Sequence, residues 1–446
     1  MKHNLKEVLI FAVVIIAAFC FVTTASATNG YFSHGYSVKN KALAGAGTAL
    51  PLDSLAAATN PAGMVFMDNR VDFGVSFFNP NREYKTHGGT PPPPGCPFVP
   101  NCPFTLQNGT VESDSNWFVI PALGANWKID SNSSLGISIY GNGGMNTDYD
   151  EGTFNYVDSV FGQSFPQETG VDLMQLFVVP TYARKITPKH AIGISPIFAY
   201  QAFEAKGLEI FGLMGISNKP QELTGNGHEN SYGYGARIGY LGEVLPNLFL
   251  GASYQTEIKM SRFKRYEGLF AENGDFDIPK NWSIGLAYNA TSALTLAVDM
   301  QRIYYSDIGA VGNTFNPAFT KCVMGSSNYC LGGDHGMGFG WDDMTIYKFG
   351  VQWQGIPDWT LRAGYSIGDQ PIPDKEVLFN ILAPGVIEQH ITAGVTKKIG
   401  NNHEVDLTVT RALSNSVKGK NPLDQNQTIE LTMDQWEITA GYSWKF

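Results

Sequence analysis

The 446-residue sequence has few charged residues, few basic residues and few long apolar stretches. Charged residues make up only 16% of it, against about a quarter in ordinary soluble domains. After residue 22 no apolar run approaches the ~20 residues of a membrane-spanning helix, which excludes a helical membrane protein. The formal net charge is −10 and the longest basic cluster is the short stretch 262–265, so a nucleic-acid partner is also excluded.

Common enzyme signatures are missing too. The sequence has no H-E-x-x-H motif, no P-loop and no Rossmann fingerprint. A G-x-S-x-G pattern occurs at Gly364–Gly368, but Tyr365 and Ile367 continue an alternating strand, whereas a nucleophilic serine of this kind needs a strand-to-helix turn. His335 and the aspartates near it lie in a polar stretch typical of a solvated loop. We therefore predict no enzyme, no metal and no cofactor.

The amino terminus has the pattern of an export signal. Basic residues precede the apolar run Val8–Val22, and Ala25-Ser26-Ala27 supplies a small-residue cleavage site. We predict a signal peptide over residues 1–27. A lipoprotein signal ending at Cys20 is the alternative, and the bulky Phe19 fits it poorly.

Four cysteines remain after the signal peptide. Cys96 and Cys102 form one close pair and Cys322 and Cys330 another, both in segments rich in Gly, Pro or Asn. This spacing predicts two local disulfides formed in an oxidising compartment. Zinc binding is the alternative, but the first pair has no suitably spaced histidine.

From about residue 70 the chain repeats stretches of alternating apolar and polar residues separated by turn residues. In the last stretch the apolar parity comprises Trp436, Ile438, Ala440, Tyr442, Trp444 and Phe446. One face of each strand therefore contacts an apolar environment and the other contacts water. A soluble β-sandwich alternates in the same way, so alternation alone does not identify the fold.

The connections between these stretches do identify it. Short turns lie near residues 130, 187, 245, 290, 357 and 400, and they alternate with long connections at about 85–114, 151–169, 205–229, 263–280, 307–342, 368–386 and 416–432. Short turns on one side and long loops on the other are typical of outer-membrane barrels, as are aromatic residues near strand ends. We predict an all-β fold, a 14-stranded antiparallel transmembrane β-barrel over residues 70–446.

Residues 28–69 precede the first strand and do not alternate. They are small and weakly polar, and we predict that they form an N-terminal hatch, a plug inside the barrel lumen. Gly45-Ala46-Gly47, Asn60-Pro61-Ala62-Gly63-Met64, the strand count and the closing aromatic together resemble the FadL-like transporters of long-chain fatty acids and hydrocarbons. This resemblance implies a Gram-negative outer-membrane location, a lateral hole at a kink in the third strand, and passive uptake of a hydrophobic substrate.

The expected third strand, Leu135–Tyr149, contains a cluster of glycines. Clustered glycines inside a strand mark a bulge or bend, although a flexible strand end is the alternative. Together with the hatch motif they give the predicted gate: Asn60, Pro61, Ala62, Gly141, Gly143 and Gly144.

The third and fourth long loops are strongly apolar. An exposed apolar patch on an external loop is typical of a binding surface, and in the family these loops form an outer groove. The alternative is mutual packing of the loops. The predicted groove residues are Leu208, Ile210, Phe211, Leu213, Met214, Leu269 and Phe270.

Alternation also places charged residues inside the barrel. By parity Arg237, Lys259, Lys348 and Arg362 point inward, together with acidic residues such as Asp299. We interpret them as ion pairs that brace the barrel, and assign no carboxylate-binding residue.

The predicted function is passive uptake of hydrophobic small molecules, fatty acids or aromatic or aliphatic hydrocarbons, across the outer membrane. A general porin is the alternative, followed by an outer-membrane hydrolase. The predicted partners are the hydrophobic substrate, outer-membrane lipid and lipopolysaccharide, and the barrel-assembly machinery, which would recognise Phe446. We expect a monomer.

Overall fold

The computed structural model describes residues 29–90, 104–150, 152–154 and 168–446. The signal peptide predicted over 1–27 and the predicted Cys96–Cys102 disulfide lie outside these ranges. Within the described ranges, no helix has both the length and the apolar character needed to cross a membrane.

Antiparallel strands make up most of the structure. In chain order they are β1 Arg70–Gly88, β2 Gly109–Glu112, β3 Phe118–Lys128, β4 Ser133–Tyr149, β5 Thr169–Thr187, β6 His190–Lys206, β7 Glu229–Leu245, β8 Leu248–Gln255, β9 Lys259–Met260, β10 Asn281–Asn289, β11 Leu294–Ile303, β12 Met344–Ile356, β13 Trp359–Gly368, β14 Gln389–Ile399, β15 His403–Asn421 and β16 Asp424–Lys445.

These strands close into a barrel. Successive strands pair with each other, and β1 pairs with β16 through the register Arg70–Lys445 to Gly88–Gln427. The short β2 and β9 pair with β1 and β7 and lie outside the ring, which leaves fourteen strands in the wall. The predicted 14-stranded antiparallel barrel is confirmed, and closure removes the free sheet edges that a membrane does not tolerate.

All six predicted short turns are confirmed by the strand bounds. The seventh long connection, predicted at 416–432, is wrong, because only Pro422 and Leu423 separate β15 from β16. Val417 pairs with Leu431 in this extended hairpin, and both side chains are buried. The polar residues that suggested a loop alternate with these buried ones, as they can where a strand extends beyond the apolar part of the membrane.

The barrel wall is apolar outside and polar inside. Large outward side chains such as Phe77, Trp436 and Ile438 are about half exposed, at 48%, 47% and 48%. Inward positions of the same strands hold buried polar residues such as Ser76 and Thr439. The predicted aromatic residues near strand ends also face outward, among them Trp127, Tyr288, Trp353, Trp359, Tyr442 and Trp444.

Residues 29–69 fill the lumen. They contain the α-helix Val38–Lys41 and the 3-10 helices Ala56–Ala58 and Pro61–Phe66. The hatch backbone lies directly on the wall, because a Cβ atom added at Gly251 of β8 would collide with the carbonyl of Thr48. Small residues on both sides of this contact allow that approach.

The long loops cover one end of the barrel, which we call the outer end. Their α-helices are Glu209–Leu213, Ala271–Gly274, Gly309–Gly312 and Phe315–Val323, and their 3-10 helices are Pro220–Glu222, Lys264–Tyr266, Tyr305–Asp307, Ser327–Tyr329, Asp374–Glu376 and Phe379–Ile381. Cys322 and Cys330 form a disulfide with a Cα–Cα distance of 4.8 Å, so this predicted pair is confirmed.

Gly251→Val tests whether contact with the wall keeps the hatch seated. The valine side chain would push Thr48 away from β8, and we expect a folded barrel whose ion conductance in planar bilayers rises well above that of the parent. Ala252→Val places the same valine side chain on the outer face of β8 and should leave the conductance unchanged. A folded Gly251→Val barrel with parental conductance would show that the hatch does not close the lumen.

Candidate functional site

Buried ion pairs hold the hatch in the barrel. Lys39 of the hatch pairs with Glu404 and lies 3.7 Å from Asp406, both on β15. Lys41, two residues further on, pairs with Glu437 of β16. All five side chains are buried. Removing one partner would leave an uncompensated buried charge, which typically costs 3–5 kcal/mol.

Wall residues also satisfy the hatch backbone. Oδ2 of Asp299 accepts hydrogen bonds from the N–H groups of Gly47 and Thr48, each at 2.8 Å. Arg237 donates to the carbonyl oxygens of Ala57, at 3.1 Å, and of Ala58. A chain segment without regular pairing can stay buried only when its polar groups find such partners.

The predicted inward cations are therefore mostly found in the lumen. Arg237, Lys348 and Arg362 are buried there, whereas the prediction that Lys259 points inward is wrong. Lys259 lies on β9, outside the ring, where the barrel's parity no longer applies, and its exposed side chain pairs with Asp277 at 2.6 Å. Sequence reasoning missed Lys39 because its segment does not alternate.

The Asn60-Pro61-Ala62 motif anchors the hatch. Oδ1 of Asn60 accepts a hydrogen bond from the N–H of Ala62 at 3.1 Å and so caps the 3-10 helix that Pro61 begins. The Asn60 amide donates to the carbonyls of Thr48 and of Tyr240 on β7, each at 2.8 Å. The geometry is that of a fixed attachment to the wall, and the gating role of these residues stays a prediction.

The glycine cluster of β4 forms a bulge against which the start of the hatch lies. The register between β4 and β5 shifts between Gly141 and Gly143. Phe32 forms an isolated bridge with Gly143, and the N–H of Gly144 donates to the carbonyl of Tyr31 at 3.0 Å. A Cβ atom on Gly143 would collide with that carbonyl, so only glycine permits this contact.

The barrel wall has a lateral gap beside this bulge. β3 pairs with β4 from Lys128–Ser134 up to Ala122–Tyr140, and no ladder pair joins the two strands beyond that point in the described residues. The two sides come together again where the backbone N–H of Asp114 donates to the carbonyl oxygen of Asp148 at 2.8 Å. We define the lateral gap as the unpaired stretch between 118–121 of β3 and 141–147 of β4.

An apolar cavity, the outer pocket, lies under the long loops. No ionisable side chain is among the described residues that line it: Val171, Phe203, Leu208, Phe211, Leu269, Phe270, Ala310, Leu331, Met337, Gly338, Phe339, Phe379 and Leu382. They come from four long loops and from strands β5 and β6.

The predicted groove residues thus divide into two groups. Leu208, Phe211, Leu269 and Phe270 line the outer pocket, whereas Ile210, Leu213 and Met214 do not. The prediction of an exposed surface is wrong for most of them, since Leu208, Ile210, Phe211 and Phe270 are at least nine-tenths buried and only Leu213 is exposed. The fifth and sixth long loops pack on them: the rings of Phe211 and Phe379 are 5.2 Å apart.

A second cavity, the inner pocket, lies beside the β4 side of the lateral gap, at Gly144, Met145 and Asn146. Its lining comprises Gly30, Phe78, Pro80, Arg82, Gly144, Met145, Asn146, Trp341, Ala383, Pro384, Gly385 and Met433. The loop segments 337–341 and 379–385 line both pockets and form the partition between them. Movement of this partition would join the two cavities.

Polar groups in the partition and next to it bond to one another. Nε1 of Trp341 donates to Oδ1 of Asn380 at 2.5 Å, and the Asn380 amide donates to the carbonyl of Phe339 at 2.6 Å. The carboxylate of Glu376 accepts the N–H of Phe315 at 2.8 Å. Burial raises the pKa of Glu376, and the Phe315 hydrogen bond opposes this shift. These groups therefore stabilise the loops and leave the pocket surfaces apolar.

A polar cavity lies deeper in the lumen beside the hatch. Asp299, Lys348, Ser283 and Gln301 are among its lining residues. A hydrophobic molecule would gain nothing by entering it, because its surface offers charges and hydrogen-bonding groups.

Ser366 of the G-x-S-x-G pattern lies within the continuous strand β13, with no turn at the serine. Its hydroxyl lies 3.1 Å from Nδ1 of His390, whose Nε2 has no hydrogen-bond partner in the described residues. Among the described residues, Ser366 therefore has no nucleophile elbow, and His390 has no third residue to orient it.

Glu437→Gln tests the hatch ion pairs. It leaves Lys41 without its buried counter-charge, and we expect the free energy of unfolding, measured with denaturant in lipid, to fall by about 3–5 kcal/mol. Glu430→Gln removes the partner of Lys418 in a more exposed pair and should cost less than about 1 kcal/mol. Equal losses in the two variants would contradict a role of the buried pair in holding the hatch.

Solved structures of similar shape support the assignment of the fold. The Pseudomonas putida toluene transporter TodX aligns with 93% of this chain and 99% of its own length, with 16% identity and a TM-score of 0.65. A Pseudomonas aeruginosa FadL homologue aligns with 94% of this chain and 100% of its own length, with 15% identity and a TM-score of 0.67. The Ralstonia pickettii toluene transporter TbuX aligns with 93% of this chain and 99% of its own length, with 16% identity and a TM-score of 0.62.

None of the curated protein sequences compared with the chain matches it. The model of one protein family does, over residues 19–446, which include the hatch and the whole barrel. The chain therefore belongs to the outer membrane protein transport protein family (OMPP1/FadL/TodX).

Proposed function

We propose that this protein carries hydrophobic small molecules passively through the outer membrane and releases them sideways through the lateral gap. The observation that carries the proposal is the missing pairing between β3 and β4 directly beside the apolar inner pocket. An opening in the wall at that place connects an apolar cavity with the membrane.

The route has three steps. A molecule enters the outer pocket among the long loops, crosses the partition of 337–341 and 379–385, and reaches the inner pocket. It then leaves between 118–121 and 141–147. Transfer between apolar sites needs no cofactor or energy source, and the concentration gradient sets its direction.

A straight route down the lumen is unfavourable for such a molecule. It would have to displace the hatch, and with it the buried pairs of Lys39 and Lys41 and the bonds of Asp299 to Gly47 and Thr48. The filled lumen also argues against a general porin, and the strand context of Ser366 argues against a hydrolase.

The hatch has two functional parts in this proposal. Asn60, Pro61 and Ala62 are the fixed anchor, while residues 29–33, which lie on Gly143 and Gly144, are the part that moves. Loss of the anchor would let the whole hatch shift, so substitutions at Asn60 and Pro61 should reduce uptake while the barrel still assembles.

The relatives support a substrate of this class. TodX and TbuX are described as toluene transporters, and another relative as a FadL homologue. We extend the class of hydrophobic compounds, aromatic or aliphatic hydrocarbons and long-chain fatty acids, to this chain. The protein acts as a transporter and catalyses no reaction.

The remaining partners follow from the barrel. Its outward apolar face would contact outer-membrane lipid and lipopolysaccharide, and the terminal Phe446 would be recognised by the barrel-assembly machinery. A single chain completes the ring through β1 and β16, which supports a monomer.

A disulfide across the lateral gap tests the exit. A Cβ atom at Gly141 would lie 3.2 Å from Cγ2 of Ile120, so Ile120→Cys combined with Gly141→Cys should cross-link β3 to β4. We expect the oxidised double variant to lose most uptake of a radiolabelled hydrocarbon and to regain it on reduction.

The matched control cross-links the same strands where they are already paired. Leu123→Cys with Ile139→Cys joins two register partners, and oxidation there should leave uptake unchanged. Parent protein treated with the same reductant controls for the native Cys322–Cys330 disulfide. Full uptake through the oxidised gap variant would refute the lateral exit.

A further inference from the structure

The half of β4 nearer the outer end, residues 143–149, lies along the lateral gap, and we call it the upper half of β4. Below the bulge even-numbered residues such as Tyr140 face the lumen, whereas above it the odd-numbered Met145, Thr147 and Tyr149 do, and all four are buried. A bulge inserts one residue and so moves every later side chain of its strand to the other face. The glycine bulge is therefore what brings Thr147 and Tyr149 inside the barrel.

The hydroxyl groups of these two residues bond to the partition. That of Thr147 donates to the carbonyl oxygen of Leu382 at 2.8 Å, and that of Tyr149 donates to the carbonyl oxygen of Ile381 at 2.9 Å. Both acceptors belong to the partition segment 379–385, and all four residues are buried. Carbonyl oxygens that are buried away from water need such partners, so the two hydrogen bonds hold the upper half of β4 against the partition.

The two segments of the partition are joined to each other through Asn380. Its side chain accepts a hydrogen bond from the indole N–H of Trp341 and donates to the carbonyl oxygen of Phe339 at 2.6 Å. It also donates to the carbonyl oxygen of Glu376 at 2.7 Å, and the whole residue is buried. A displacement of one segment is therefore passed on to the other, and from there to β4.

The upper half of β4 is paired along one edge only. Ladder pairs join it to β5 from Gly143–Gln175 to Tyr149–Thr169, but none joins it to β3 in the part of the chain that the structure describes. Its described hydrogen bonds across the gap involve the backbone of Asn146 and of Asp148. This half of the strand can therefore move at the gap without breaking a ladder with β3.

We propose that Thr147 and Tyr149 are positioning residues that link the partition to the lateral gap, so that a substrate which displaces the partition also widens its own exit. The inference rests on the proposed function and adds how the two openings of the inner pocket act together. A substrate drives this movement only if it binds the displaced arrangement more tightly, as an apolar molecule lodged between the two pockets would. The exit then stays narrow while the inner pocket is empty.

The rate of disulfide formation across the gap measures this link. A wider gap slows oxidation of the pair Ile120→Cys with Gly141→Cys, and we expect toluene to slow it about fivefold in the full-length protein reconstituted in lipid. Adding Thr147→Val and Tyr149→Phe removes both hydroxyl groups and keeps the bulk of the side chains. Toluene should then change the oxidation rate by less than about twofold.

Uptake separates a linking role from a purely structural one. Thr147→Val combined with Tyr149→Phe should lower the uptake of radiolabelled toluene about fivefold, while the equilibrium affinity for toluene stays within about twofold. Tyr149→Phe alone should give a smaller loss of uptake. Thr147→Ser keeps the hydroxyl group and should transport like the parent.

Thr181→Val combined with Tyr365→Phe is the matched control. It removes the same two kinds of hydroxyl group where they bond to Ser195 and Gln389 of the wall, and it should leave both the toluene effect and the uptake unchanged. Equal slowing by toluene with and without the hydroxyl groups of Thr147 and Tyr149, or no slowing in either background, would overturn the inference and leave the proposed function intact. A parent protein that neither binds nor takes up toluene would count against the proposed function itself.

Discussion

The burial of a charged, irregular segment inside the barrel is the constraint on which the rest of the structure depends. Lys39, Lys41 and the hatch backbone lie out of contact with water, so the wall must supply Glu404, Glu437, Asp299 and Arg237 at matching positions. These partners fix the hatch and close the lumen. A barrel closed in this way transmits a molecule only if another opening exists.

The opening lies where the polar interior gives way to an apolar one. Toward the short turns the lumen holds ion pairs, the Asn60 anchor and a polar cavity. Toward the long loops it holds the two apolar pockets and a cluster of aromatic rings. In this cluster the ring centroid of Tyr31 of the hatch lies 5.0 Å from that of Tyr305 and 5.9 Å from that of Trp341. The bulge of β4 marks the boundary, and the lateral gap begins beside it. In the proposed route, the start of the hatch borders the transport path and the remainder of the hatch is its support.

Most of the barrel could be predicted from the sequence because each strand faces lipid on one side and a polar lumen on the other. Alternation then reveals the strands, and turn residues reveal their ends. It fails at 416–432, where the polar residues that alternate with buried ones suggested a loop, and at Lys259, where a short strand leaves the ring. The candidate site was harder to predict from the sequence. The glycines of β4 indicated a bulge, but the gap depends on which residues of β3 remain unpaired, and the burial of Phe211 and Phe270 depends on contacts between loops distant in sequence. Neither property is a local pattern.

The most direct test of the lateral route is to locate a transported molecule inside the protein. A photoactivatable hydrocarbon, irradiated during uptake and mapped by mass spectrometry, would mark the residues along its path. The account predicts labelling of Met145 and Trp341 in the inner pocket and of Ile120 at the gap. Labelling of Ser283 and Gln301 beside the hatch, with none at the gap, would contradict it and show passage straight down the lumen.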